Sequence, residues 1–134
     1  CETLRRSECA DRRTPAVLHP SVLEDLGNQY LIFGAGLLIA VELDPSSGRI
    51  ASLNGSEPLF SQLHSHLFLV QPNTSEGGCA EAPFAIRQGD FLYLFVEWRL
   101  CCCCNESSSE IRVGRAASVK GPFLGEDDTP MSSG

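Results

Sequence analysis

A glutamate held in stiff backbone is the first candidate for chemistry in this sequence. Glu81 lies between two alanines and is followed by Pro83. Proline has a fixed φ and restricts the residue before it, so the backbone next to Glu81 has little freedom. We therefore expect rigid structure to orient this carboxylate. On residue type alone, the commoner role of such a side chain is a surface charge at the end of a strand.

Two histidines, His64 and His66, form a second candidate group. Alternate residues of a strand point to the same face, so a His-x-His pair in an extended segment can hold a metal ion. No third ligand stands at a suitable spacing. The pattern therefore favours two ordinary strand histidines over a metal site.

The third group is the cysteine run Cys101–Cys104. Successive side chains of an extended segment point in opposite directions, so four adjacent thiols do not suit one tetrahedral metal ion. We expect disulfides here, including one between neighbours, ahead of a zinc or redox site.

Cysteine usage and glycosylation sequons indicate the compartment. The chain has seven cysteines, and it carries Asn-x-Ser/Thr triplets at Asn54, Asn73 and Asn105. Three sequons in polar, turn-like surroundings favour a secreted product, in which most of the cysteines would be bridged. The odd count leaves at least one cysteine unpaired within the chain.

Two similar hairpins organise the rest of the chain. Apolar residues alternate on both sides of Gln88-Gly89-Asp90, which predicts two strands joined by a tight turn. The segment His19–Phe33 aligns with Ala82–Val96, with Pro, Tyr and Leu recurring at one offset. A third strand is predicted after each hairpin, at Leu37–Leu43 and at Glu110–Arg115. Short fourth strands are expected at Arg49–Leu53 and around Phe123.

Repeated four-stranded meanders are typical of propeller blades, whereas two unrelated hairpins would fit a β-sandwich. We predict an all-β fold, a partial five-bladed β-propeller with two four-stranded antiparallel blades. The predicted segments are an irregular lead-in (1–17), a first blade-like repeat (18–53), a linking segment (54–78), a second repeat (79–124) and a polar tail (125–134).

Composition narrows the classes of partner. Ten basic and seventeen acidic residues give a net charge of −7, and no basic patch is interleaved with aromatic residues. Nucleic acid is therefore not an expected partner. No apolar run is long enough for a membrane span, so no membrane association is expected. Hydrophobic residues make up 43% of the chain, which favours a folded domain over disorder.

Taken in order, several motifs resemble glycoside hydrolase family 43, and within it the endo-1,5-α-L-arabinanases. The resemblance covers roughly residues 17 to 131. It rests on His19-Pro-Ser-Val, Tyr30-Leu-Ile-Phe-Gly, Val41-Glu-Leu-Asp-Pro-Ser-Ser-Gly48, Glu81-Ala-Pro-Phe, Phe91-Leu-Tyr-Leu-Phe-Val, Ile111-Arg-Val-Gly-Arg115, Ser118-Val-Lys-Gly-Pro-Phe123 and the closing Gly125-Glu-Asp-Asp-Thr-Pro-Met131.

The resemblance implies a secreted, inverting hydrolase of α-1,5-linked arabinan whose active site uses three carboxylates. The glutamate of the Glu-Ala-Pro motif is the family's general acid and falls on Glu81. His19 stands where the family has its pKa-modulating aspartate. The general base belongs to a preceding blade, and we expect it outside this chain. No cofactor is evident from the residues; only the resemblance implies a calcium ion on the axis, and its usual protein ligand is not found here.

Three interpretations follow. The first is an arabinan hydrolase of which this chain is a partial copy. The second is an inactive carbohydrate-binding or interaction module, with Trp98 and Tyr93 as stacking candidates, although Trp98 fits core packing better. The third is a secreted protein centred on Cys101–Cys104. Open blade edges also make self-association a prediction.

Overall fold

The computed structural model describes residues 19–51, 67–70, 78–100 and 108–131. These residues form strands and turns, and none of them lies in a helix. The predicted all-β class is confirmed. The seven strands are β1 (Ser21–Asp25), β2 (Asn28–Ala35), β3 (Leu37–Leu43), β4 (Leu67–Val70), β5 (Gly78–Gln88), β6 (Phe91–Leu100) and β7 (Ser108–Ala116).

The first four strands form an antiparallel meander. β1 turns into β2 through Leu26 and Gly27, and β2 turns into β3 around Gly36. Every residue from Leu37 to Val41 is buried, so both faces of β3 are covered. The run of apolar residues on both faces of this segment predicted such a central strand, and the structure confirms it.

β5, β6 and β7 form the second meander. The predicted hairpin turn lies at Gly89 and Asp90, between the paired residues Gln88 and Phe91. β7 pairs with β6 along its whole length. Beyond β7, Leu124 makes an isolated bridge to Arg115, which is close to the short fourth strand expected around Phe123.

The fourth strand of the first unit differs from the prediction. Within Arg49–Leu53, the only pairing in the described part is one bridge from Ile50 to Leu43. The strand next to β3 is instead β4, inside the predicted linking segment 54–78. Its apolar side chains Leu69 and Val70 are buried, and this burial favours pairing there over the polar turn that precedes Ile50.

The two meanders, here also called units, contact each other through one backbone pairing and one large hydrophobic core. β2 and β5 share a single residue pair, Ala35 with Glu81, through which all seven strands form one sheet. Away from this pair, buried side chains of both units belong to one hydrophobic core. The shared core contains Leu23, Tyr30, Ile32 and Leu38 from the first unit and Leu92, Leu94, Val96 and Trp98 from the second.

Candidate active site

Glu81 lies at an irregularity within β5. Glu81 pairs with Glu97, whereas Phe84 pairs with Phe95, so β5 carries one extra residue between these two pairs. Ala82, in this bulge, has a φ of 48°. A bulge bends its strand and changes the direction of the side chains beside it, and bulges often lie next to active sites. The sequence predicted Glu81 at the entrance to the strand; the structure places it three residues inside.

Contacts from both units hold the backbone around Glu81. On one side its strand partner is Ala35, and the amide of Gly36 donates a 2.8 Å hydrogen bond to the carbonyl of Ala80. On the other side its partner is Glu97 in β6. The side chain of Glu81 is 14% exposed. It is therefore largely enclosed and yet open to solvent at the junction of the two meanders.

His19 is brought next to Glu81. Its Nε2 atom lies 3.8 Å from Oε2 of Glu81, which is too long for a hydrogen bond but close enough for an ion pair when the imidazole is protonated. The His19 side chain is half exposed. Its backbone has a φ of 52°, which is uncommon outside glycine. The pair joins the short segment before β1 to the bulge of β5.

The sequence analysis did not identify Glu97. Extending the hairpin register from Gln88 and Phe91 without a bulge would place Trp98 opposite Glu81. The extra residue in β5 shifts the pairing by one and brings Glu97 there. The Glu97 side chain is half-buried and lines an open cleft of about 560 Å³ with Phe84 and Phe95. The run Glu81-Ala-Pro before an alternating strand was the only sequence signal for this arrangement.

The structure does not bring together Trp98 and Tyr93, the two candidates for stacking on a sugar. Trp98 is 1% exposed and belongs to the shared core, and the guanidinium of Arg112 lies 4.1 Å from its ring centroid. Tyr93 is half-buried on the opposite face of β6, because the two positions are an odd number of residues apart. With both ring faces covered, Trp98 fits the packing role and has no surface on which a sugar could stack.

Metal and cysteine sites receive no structural support from the described part of the chain. There, no three or more His, Cys, Asp or Glu side chains are grouped so that they could hold a metal ion. His64, His66, Cys101–Cys104 and the three sequon asparagines lie outside the described residues. In the described ranges there is also no helix long and apolar enough to cross a membrane.

Sequence comparison points to enzymes that act on arabinan. No protein-family model matches the chain. Over 67 residues it is 44% identical to an extracellular exo-α-(1→5)-L-arabinofuranosidase of Cellvibrio japonicus, a match that covers 48% of this chain and 19% of the relative. Over 68 residues it is 32% identical to an extracellular endo-α-(1→5)-L-arabinanase of Bacillus subtilis, covering 51% of this chain and 21% of the relative.

Solved structures extend the similarity to most of the chain. The α-L-arabinanase of Cellvibrio cellulosa complexed with arabinohexaose is 26% identical, with a TM-score of 0.58 over 84% of this chain and 36% of that one. A family 43 endo-arabinanase from Bacillus licheniformis, 24% identical, shares the fold with a TM-score of 0.66 over 87% of this chain and 37% of that one. The chain thus spans about a fifth of the curated relatives and somewhat over a third of these structures. The predicted resemblance is confirmed: in sequence and in fold, this chain is similar to part of the arabinanases of glycoside hydrolase family 43.

Proposed function

We propose that this chain carries the proton-donating part of an active site that hydrolyses α-1,5-linked arabinan, with Glu81 as the general acid. The observation that carries the proposal is the position of Glu81 in a β-bulge at the junction of the two meanders, 14% exposed and next to His19. Similarity to arabinan-active enzymes over about half of the chain supports the choice of substrate.

In an inverting hydrolase, one carboxyl group gives its proton to the departing sugar oxygen. A second carboxylate, about 6.5 to 9.5 Å away, activates water on the opposite face of the sugar. Glu81 would perform the first task, and the partly enclosed site would keep its carboxyl aimed at the glycosidic oxygen. The base and the remainder of the groove would come from outside the described residues.

His19 would act on Glu81 rather than on the sugar. When protonated, the His19 imidazole can form an ion pair with the Glu81 carboxylate, 3.8 Å away. Only a small movement would bring the two groups within hydrogen-bond distance. The family has an aspartate at this position, which carries a negative charge, whereas a protonated histidine carries a positive one.

The two meanders would be neighbouring blades of a five-bladed propeller. The internal repeat supports this assignment, as does the match of 84% of the chain to an arabinanase structure of which it covers 36%. The protein would be secreted, because the two curated relatives are named extracellular and because the chain is rich in cysteines and sequons. Its partner would be a polysaccharide, as arabinohexaose is for the Cellvibrio cellulosa enzyme.

Two features of the sequence favour a second function, an inactive carbohydrate-binding module. A histidine stands where the family has an aspartate, and no general base was identified in the sequence. A chain that has lost catalysis but kept the scaffold could still bind arabinan.

The test is to incubate this chain, joined to the blades that complete the groove and supply the base, with debranched arabinan and to measure new reducing ends, with binding followed by calorimetry in parallel. Hydrolysis with inversion at the anomeric carbon, observed by proton NMR, supports the first proposal. Binding without reducing ends supports the inactive module. If the protein neither binds nor hydrolyses arabinan, both proposed functions are contradicted. Free thiols or bound metal found by mass spectrometry would then direct attention to Cys101–Cys104.

A further inference from the structure

The outer edge of β7 is only partly paired. β7 is the last strand of the sheet, and its inner edge pairs with β6 along the whole strand. On the outer edge, pairing within the described ranges is confined to Arg115, whose amide and carbonyl exchange 2.8 Å hydrogen bonds with Leu124. Backbone groups of alternate residues point to the same edge, so the N–H and C=O groups of Ile111 and Val113 also point outwards. Residues Ile111–Val113 are here called the open β7 edge.

The first meander shows what pairs at the corresponding edge. In the internal repeat, Tyr30 corresponds to Tyr93. Their partners in the third strands are Glu42 and Arg115, so these two residues correspond as well. The same register places Leu38–Ala40 of β3 at the position of the open β7 edge. These three residues pair with β4 and are at most 1% exposed. In the described part of the chain, β7 has no strand equivalent to β4.

The side chains of the open β7 edge fit an added strand. Ile111 is 74% exposed and Val113 is 41% exposed. Charged side chains often protect a sheet edge from such pairing. Here the charge between the two apolar residues is turned over the sheet, because the guanidinium of Arg112 lies 4.1 Å from the ring centroid of Trp98. Its Nε also donates a 2.6 Å hydrogen bond to Glu110. This charge therefore does not block the edge.

The described chain ends beside this edge. The side chain of Met131 packs against Gly114 of β7, where an added Cβ would lie 2.7 Å from Cγ of Met131. An open cleft of about 440 Å³ lies between β7 and residues 125–131, and Ile111 and Val113 are among the residues that line its β7 side. A strand that follows Met131 would therefore reach the open β7 edge without crossing the sheet.

We propose that the open β7 edge pairs with an antiparallel, apolar β-strand, supplied by the continuation of the polypeptide after Met131 in a longer form of this protein. Strand addition takes its affinity from main-chain hydrogen bonds and its specificity from sites for alternate side chains. Ile111 and Val113 supply these bonds, and the cleft beside them receives side chains of the added strand. The second meander is thereby completed as β4 completes the first. The proposal rests on the repeat and its register, and it does not depend on the proposed activity.

The test extends the chain after Gly134 with a flexible Gly/Ser linker and a copy of residues 65–71, which contain the sequence of β4. Tethering raises the effective concentration of the copied strand to roughly millimolar. Hydrogen exchange of single amides is followed by NMR. Relative to the chain extended by the linker alone, we expect exchange at Ile111 and Val113 to slow by about tenfold or more. Arg112, whose amide faces β6, is the internal reference and should change little.

A matched control carries Phe68→Pro and Leu69→Pro in the copied strand only. Proline has no N–H, so this copy lacks one donor on each of its edges and should lose the protection, while the rest of the protein is unchanged. Amides of β2 report any change in global stability. Unchanged exchange at Ile111 and Val113, or equal protection by the two copies, would overturn the proposal. Slowing confined to β3 would also overturn it, because the copy would then have replaced β4 instead.

Discussion

The buried carboxylate of Asp25 joins the two meanders by accepting hydrogen bonds from Arg87. Oδ1 of Asp25 accepts a 2.9 Å bond from Nε of Arg87 and a second bond from Nη2, and Nη2 also donates to the carbonyl of Ala117 at 2.9 Å. Oδ2 accepts a 2.8 Å bond from the amide of Val119. Asp25 is 2% exposed, so three elements from distant parts of the chain depend on one desolvated charge.

Breaking this pair should be strongly destabilising. Arg87→Met leaves the Asp25 carboxylate buried without its cation, and we expect a loss of about 3–5 kcal/mol in the free energy of unfolding. Denaturant unfolding measures this change. Arg115→Met is the matched control, since Arg115 pairs with Asp128 at the exposed surface, where the loss should stay below about 1 kcal/mol. Similar losses for the two variants would contradict the assigned role of the buried pair.

The role of Glu81 predicts a dependence on the leaving group. In a preparation that hydrolyses arabinan, Glu81→Gln should lower kcat by about 10²–10⁴, the usual contribution of a general acid. An aryl arabinofuranoside with an acidic phenol needs no proton on departure, so its hydrolysis should fall far less. Steady-state kinetics on both substrates provide the comparison. Glu24→Gln, which changes an exposed glutamate on β1, is the control and should behave like the unaltered protein.

A result in which both substrates lose activity equally on Glu81→Gln would argue against proton donation. It would assign Glu81 to binding or to the structure of the bulge instead.

The turn between β2 and β3 should be sensitive to a side chain at Gly34. Gly34 has a φ of 138°, and an added Cβ would lie 3.0 Å from the carbonyl carbon of Leu37 and against its oxygen. We expect Gly34→Ala to lower the free energy of unfolding by at least about 2 kcal/mol. Because the neighbouring Ala35 and Gly36 bond to β5 beside Glu81, activity should fall as well. Thermal unfolding and the arabinan assay measure the two effects.

Gly48 supplies the comparison for this prediction. Its φ is 67°, but nothing lies within 4 Å of an added Cβ. Gly48→Ala should therefore lose only about 1–2 kcal/mol, the penalty of the left-handed backbone. A larger loss at Gly48 than at Gly34 would show that the close approach to Leu37 is not limiting.

Asp44 predicts a stability change at acidic pH. Hydrogen bonds from the hydroxyl of Ser46 and from the amide and hydroxyl of Ser47 lower the pKa of Asp44 from 3.8 to about 2. Since the folded pKa lies below the unfolded value, the stabilisation is complete above about pH 4 and is lost as the pH falls towards 2. The advantage of the unaltered protein over Asp44→Asn should shrink in that window.

NMR titration of the Asp44 carboxyl carbon tests the cause of the shift. Ser46→Ala removes the hydroxyl donor and should move the pKa of Asp44 upwards, towards 3.8. An unchanged midpoint in Ser46→Ala would mean that the hydroxyl does not hold the charged form.

Local features of the sequence were sufficient for the class of fold, for the hairpin around Gly89 and for the extent of β3. Strand alternation and turn residues act between neighbours in the chain, and they do not require knowledge of the tertiary structure. The ordered motifs also led to Glu81 and His19 as candidate site residues, whereas the contact between them came from the structure. In contrast, the sequence did not predict that β4 pairs with β3. No tight turn joins these two strands, so their pairing depends on how much apolar surface the assembled sheet buries.

The tertiary structure alone decided which side chains surround Glu81. One extra residue in β5 shifts the register, so that Glu97 replaces Trp98 opposite Glu81. The link from Asp25 to Arg87 likewise depends on how two sheets pack. Register shifts and contacts between sheets arise from the balance of burial over many residues, which no short motif encodes.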